Sequence, residues 1–147
     1  MYIQELPVIP ETSLPATPEP EFKLVIFGGR DFGDHKLADQ EFRNLVAILK
    51  KSVRPDTHLH IVSGCARGAD QIGEWLAQQY RLDVFQYPAQ WTRPDGSTDK
   101  GAGFARNVEM ARIADAGLCF WDGESRGTKH MLDTMQELGK PVRVIHY

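Results

Sequence analysis

The chain is short of cysteine, of long apolar runs and of positive charge, and each shortage excludes something. Two cysteines in 147 residues, Cys65 and Cys119, cannot build a disulfide framework, so a reducing, cytoplasmic setting is expected. No apolar stretch reaches the roughly 20 residues that a membrane-spanning helix needs, so no membrane partner is expected. The first residues lack the basic and apolar blocks of a signal peptide. Lys and Arg number 17 against 20 Asp and Glu, a net charge of −3. Nucleic-acid scaffolds usually carry an excess of cations, so nucleic acid is expected to be an unlikely partner. The dinucleotide fingerprint Gly-x-Gly-x-x-Gly does not occur, and neither do repeats or low-complexity segments beyond the amino terminus.

With 41% hydrophobic and 25% charged residues, the chain can bury the core of one domain. The first 21 residues stand apart. Pro7, Pro10, Pro15, Pro18 and Pro20, interleaved with Glu and Thr, prevent regular pairing and define an extended tail. The alternative is an arm, with Tyr2, Ile3, Leu6 and Val8 packing on a neighbouring subunit. Residues 22–147 form the domain proper.

Within it, two periodicities alternate. Apolar runs at 23–27, 58–63, 82–87, 116–121 and 142–146 predict strands. Between them, residues 37–51 carry Leu37, Phe42, Leu45, Val46 and Leu49 at helical spacing. Residues 69–80 carry Ile72, Trp75, Leu76 and Tyr80. Residues 103–114 carry Val108, Met110, Ala111 and Ile113, and residues 128–138 carry Met131, Leu132, Met135 and Leu138. Alternating strands and helices with right-handed crossovers predict an α/β, Rossmann-like fold with a five-stranded parallel sheet in the order 3-2-1-4-5. Ligands of such sheets bind beyond the carboxyl ends of the strands, where the strand order reverses.

Three predicted strands end in turns of small residues. The run Ser63-Gly64-Cys65-Ala66-Arg67-Gly68-Ala69-Asp70 follows the second strand and opens a helix, an arrangement that can cradle phosphate with backbone N–H groups and the positive end of the helix dipole. An ordinary tight turn is the plain alternative. Gly28-Gly29-Arg30-Asp31-Phe32 follows the first strand, and Asp122-Gly123-Glu124-Ser125-Arg126-Gly127-Thr128 follows the fourth. Converging turns of this kind predict a nucleotide or nucleotide-derived ligand.

Together with Pro88-Ala89-Gln90-Trp91 and Lys100-Gly101-Ala102-Gly103-Phe104-Ala105-Arg106-Asn107, these motifs resemble the YspA/YpsA-related branch of the SLOG superfamily over residues 23–146. The resemblance implies a Rossmann-like domain that binds nucleotides or their derivatives, in a superfamily that includes LOG phosphoribohydrolases and the DNA-processing protein DprA. LOG enzymes carry an Arg-Lys pair, a Met, an Asp before a strand and a Gly-Gly-x-Gly-Thr-x-Glu-Glu turn. The corresponding run here is Arg106-Asn107, Met110, Asp115 and Gly123 through Met131. Arg106 and Gly127-Thr128 match, but Asn107 stands for the lysine, and His130 and Met131 stand for the glutamates. A methionine can neither stabilise an oxocarbenium-like charge nor activate water, so hydrolysis would fall to Glu124 or Asp122, with Arg106 on the phosphate. LOG-like relatives build sites near subunit interfaces, which implies a homo-oligomer.

Planar guanidinium groups at Arg30, Arg67, Arg106 and Arg126 suit phosphate, although nearby Asp31, Asp70, Asp122 and Glu124 offer each a plain salt-bridge role. Ser63, Ser125 and Thr128 can donate hydroxyl hydrogen bonds to phosphate, and Thr128 can equally cap its helix. The long connection 88–103 brings Trp91, which can stack on a base or anchor the loop, and Lys100-Gly101 for phosphate. His58 and His60 share one side of a strand, but nothing supplies a third and fourth ligand, so no metal is assigned. Cys65 sits where a helix N-terminus lowers a thiol pKa, yet a small packed residue is the simpler reading, and Cys119 belongs to the core.

The sequence reading is therefore a binder of a nucleotide-like small molecule, acting as a sensor, carrier or sequestering protein. Its ligand-binding set is Gly28, Gly29, Arg30, Asp31, Ser63, Gly64, Arg67, Gly68, Asp70, Trp91, Lys100, Gly101, Arg106, Asn107, Asp122, Ser125, Arg126, Gly127 and Thr128. The alternatives are a LOG-like hydrolase of the N-glycosidic or phosphate bond, and single-stranded nucleic-acid binding in the manner of DprA.

Overall fold

A computed structural model of the chain describes residues 19–147. Five strands alternate with four helices: β1 (Glu21–Gly28), α1 (His35–Leu49), β2 (His58–Ser63), α2 (Ala69–Tyr80), β3 (Asp83–Gln86), α3 (Ala102–Ile113), β4 (Ala116–Trp121), α4 (Arg126–Glu137) and β5 (Val142–His146). All strand pairs are parallel, in the order β3-β2-β1-β4-β5. This is the predicted α/β architecture. The order reverses between β1 and β4, whose register runs from Leu24 opposite Ala116 to Gly28 opposite Phe120.

Because side chains of a strand alternate between faces, β1 feeds two cores. Leu24 and Ile26 pack with Phe42, Leu45, Ile72 and Leu76 beneath α1 and α2. Val25 and Phe27 pack with Met110, Ala111, Met131 and Met135 beneath α3 and α4. At about 25 cal/mol per Å² of apolar surface removed from water, side chains of this size contribute roughly 1.5–3 kcal/mol each.

Most boundaries fall within two residues of expectation, and the caps explain the differences. Asp34 accepts a hydrogen bond from the Leu37 N–H at 3.0 Å, so α1 begins before residue 37. Ser125 caps α4 by accepting from the Thr128 N–H at 3.4 Å, which makes Ser125 the cap in place of Thr128. The expected tail lies outside the described residues as far as residue 18, and Glu21 at its end already pairs with His58 in the sheet. Among the described residues, no helix is long and apolar enough to cross a membrane.

Candidate functional site

The carboxyl ends of β1 and β4 lie side by side at the switch point, paired as far as Gly28 opposite Phe120, and beyond them opens a cleft of about 470 Å³. The turn after β1 contributes Gly28, Gly29, Arg30 and Asp31, and the turn after β4 contributes Asp122, Ser125, Gly127 and Thr128. Asp70 enters from α2, Arg106 and Asn107 from α3, and Trp91 and Lys100 from the long connection. These thirteen residues of the expected set thus meet in one place. Ser63, Gly64, Arg67, Gly68, Gly101 and Arg126 do not line the cleft, and neither does Glu124.

For Ser63, Gly64, Arg67 and Gly68 the physical reason lies in the turn 63–70, which is closed on its own chain. The Cys65 N–H donates to Ser63 Oγ at 3.1 Å, the Ala66 N–H to Asp70 Oδ2 at 3.1 Å and the Ala69 N–H to the Gly29 carbonyl at 3.1 Å. Three donors of the predicted phosphate cradle are therefore occupied, one of them by a carboxylate. Gly68, at φ +76°, makes this possible: a Cβ there would stand 2.2 Å from the Gly29 carbonyl oxygen. Gly64 serves differently, since the Arg106 guanidinium lies on it and donates to its carbonyl oxygen. Ser63 and Gly68 thus build the site from behind, while Arg67 is exposed.

The start of α3 is closed only in part: the Gly101 N–H donates to Asp99 Oδ1 at 2.9 Å and the Ala102 N–H to the Asp99 carbonyl at 3.3 Å, while Gly103 and Phe104 line the cleft. The N-cap position of α3 is Gly101, which offers no side-chain cap, and Lys100 precedes it. Arg106 follows one turn later, its Nε donating to Asn107 Oδ1 at 3.1 Å. The positive dipole end, Lys100 and Arg106 border the cleft there, and Arg30 lines it as well, near enough that both guanidinium groups act on the Asp70 carboxylate.

The connection 88–103 that carries Trp91 is a small hairpin. Thr92 and Thr98 pair antiparallel, the Arg93 N–H donates to the Ser97 carbonyl at 2.8 Å, and the Arg93 side chain donates to the Thr98 carbonyl at 3.0 Å. Trp91 is 41% exposed, so it presents its ring to the cleft instead of anchoring a core. Sequence reasoning missed Phe27, Ala66, Gly103, Phe104, Met110 and Met131 as lining residues. Phe104 stands out, because it is 49% exposed at the edge of the cleft.

Charges in the cleft are mixed. Burial pushes the Asp70 carboxyl up to about 6, against the pull of the Ala66 N–H, Arg106 and Arg30. Asp122 moves the other way, because the N–H groups of Glu124 and Ser125, each at 2.9 Å, hold its carboxylate ionised. Asp122 thereby fixes the turn that leads to α4. Asp31 accepts from the Tyr147 hydroxyl at 2.5 Å. The Cys65 thiol is raised by burial and by Glu74, so the helix start does not activate it. Cys119 is buried in the core and pushed up to about 12.

His58 and His60 lie at the amino end of β2, away from the cleft. His58 contacts Glu19, and buried His60 sits 3.5 Å from Glu21 and 3.7 Å from Asp83. Among the described residues, no three His, Cys, Asp or Glu side chains gather as metal ligands.

Fold and cleft together define a Rossmann-like α/β domain with its candidate site at the topological switch point. No protein-family model matches the chain. It is 41% identical to the Gene 61 protein of Mycobacterium phage D29 over 86 residues, 57% of this chain and 69% of that protein. The chain belongs to the same family as that Gene 61 protein. Its fold is shared with DNA processing protein A from Helicobacter pylori, with a TM-score of 0.53 and 21% identity. The match covers 86% of this chain, which spans 65% of that one.

That structure is described for its single-stranded DNA binding mode, and it overturns the expectation drawn from net charge. The total of −3 sums over the whole surface, whereas the cleft sets Arg30, Lys100 and Arg106 against Asp31, Asp70 and Asp122 and so has no acidic excess of its own. An acidic balance is therefore no ground for excluding nucleic acid.

Proposed function

We propose that this chain binds single-stranded DNA in the cleft, with a backbone phosphate at the start of α3 and a base against Trp91. The observation that carries the reading is an open groove joining three cations, Arg30, Lys100 and Arg106, to the exposed ring of Trp91. Cations that track a backbone and rings that accept bases are the parts by which proteins hold single strands without reading sequence. The shared fold with a protein described for single-stranded DNA binding supports the reading, as does the resemblance of the motifs to the SLOG superfamily. The YspA-related and LOG-related particulars rest on those motifs alone.

A second reading, binding of a free nucleotide, is favoured by the size of the cleft: about 470 Å³ falls within the range of small-ligand pockets. N-glycosidic hydrolysis gains no support from the geometry. Met131 lies in the cleft lining where the LOG turn has a glutamate, Glu124 is outside the lining, and Asp122 is engaged with its own turn.

Fluorescence anisotropy with a labelled oligodeoxythymidine, its duplex and a deoxynucleoside monophosphate competitor tests the proposal. The single strand should bind more tightly than the duplex and than the monophosphate. Arg106→Ala should weaken it by about 1.5–3 kcal/mol, the scale of a charge-assisted hydrogen bond. Equal binding of duplex and single strand, or a monophosphate that matches the oligonucleotide, would overturn it.

A further inference from the structure

At the rim of the cleft, α3 and α4 hold an aromatic pair that the grip on a phosphate and one base leaves unused. The rings of Phe104 and His130 lie parallel, 4.1 Å between centroids and 9° between planes. Phe104 is 49% exposed although it packs on His130, so its ring remains available to solvent. A large apolar ring held at the rim by an imidazole, instead of buried between the helices, is a surface kept ready for a flat partner.

The pair is also wired to the cation site. Arg106 Nε donates to Asn107 Oδ1 at 3.1 Å, which fixes the orientation of that amide. The Asn107 Nδ2 group then faces the Gly127 carbonyl at 3.2 Å and His130 Nδ1 at 3.2 Å. With the amide so oriented, His130 accepts at Nδ1 and carries its proton on Nε2. Buried Asn107 therefore ties the guanidinium to the imidazole under Phe104. A group bound by Arg106 and a ring laid on Phe104 would be set at a fixed separation.

We infer that Phe104 stacked on His130 is a second base subsite, so that the protein holds two consecutive nucleotides of one strand, the first against Trp91 and the second on Phe104. The inference rests on the proposed single-strand binding. Its ligand is a nucleobase, recognised by its π-face and not by its hydrogen-bonding edge, so the subsite tolerates all four bases. The minimal full ligand is then a dinucleotide.

The experiment compares thymidine monophosphate, the phosphorylated dinucleotide and a decamer as competitors for a labelled oligonucleotide. The proteins are wild type, Phe104→Leu, Phe104→Tyr and Trp91→Ala, with circular dichroism establishing that each variant is folded. Wild type should gain about 5- to 100-fold in affinity from monophosphate to dinucleotide, the span that one base stack provides. Phe104→Leu, which keeps apolar bulk and removes the ring, should abolish that step and leave the monophosphate unaffected, and Phe104→Tyr should restore it. Trp91→Ala should weaken all three ligands. If Phe104→Leu binds the decamer like wild type while Trp91→Ala loses it, the second subsite falls and the single-strand reading stands. Loss of monophosphate and dinucleotide in equal measure in Phe104→Leu would also reject a separate subsite. Absence of oligonucleotide binding by wild type would reject both.

Discussion

Asp70 sets the expected pH behaviour of the candidate site, because it lies buried beneath the cleft in which the proposed ligand would place its phosphate. Burial holds its carboxyl at about 6 in the folded chain, against 3.8 for the free group. Between those values the folded state keeps a proton that the unfolded state has released. Stability therefore falls as pH rises from about 4 to 6 and levels off above. Asp70→Asn can still accept from the Ala66 N–H and carries no charge. It should be more stable than wild type at pH 8 by on the order of 2–3 kcal/mol, and urea denaturation across pH 4–8 should show a flattened profile. The same ionisation opposes a phosphate on Arg106. Binding of an oligonucleotide should tighten as pH falls through about 6 in wild type and stay level in Asp70→Asn. A wild-type affinity indifferent to pH over that interval would separate Asp70 from the ligand.

Among the elements, the turn 63–70 holds the site together, and Gly68 is its critical position. Gly68→Ala meets both a left-handed backbone and the Gly29 carbonyl, so it should destabilise the fold by about 1–3 kcal/mol or more. In Gly127→Ala, a Cβ meets open space, so the change should leave thermal stability nearly unmoved. The strands were legible in the sequence because each is a short apolar run between small or polar residues, and α2 was legible over its full length, 69–80. The face of α3 was less so. Val108 and Met110 are two residues apart, about 200° around a helix, so they cannot share a face. Met110 is in the core and Val108 is outside both clusters. The turns after β1 and β4 were readable as lining of the candidate cleft because the switch point follows from strand order alone. Which N–H groups stay free was not, since that depends on Asp70 folding back onto Ala66. Nor was the Phe104–His130 pair, whose members come together only when α3 packs on α4.

At the scale of the whole molecule, modest charge contrast decides the expected binding regime. Arg30, Lys100 and Arg106 share the cleft with Asp31, Asp70 and Asp122, so the protein should neutralise only two or three phosphates. The affinity for a single strand should then fall with a slope of about −1.4 to −2 in log K against log salt, from roughly 0.7 per phosphate. A titration from 50 to 300 mM NaCl reads that slope directly, and a value steeper than about −4 would require a second cationic surface. Direction matters as much as charge. The described chain enters β1 at Glu21, beside His58 and Asp83, and the cleft opens at Gly28, the other end of that strand. At about 3.3 Å per residue the two edges stand roughly 25 Å apart. A molecule anchored through residues ahead of β1, to a bead, a sensor chip or a fused domain, would turn its cleft outward like a cup set down on its base.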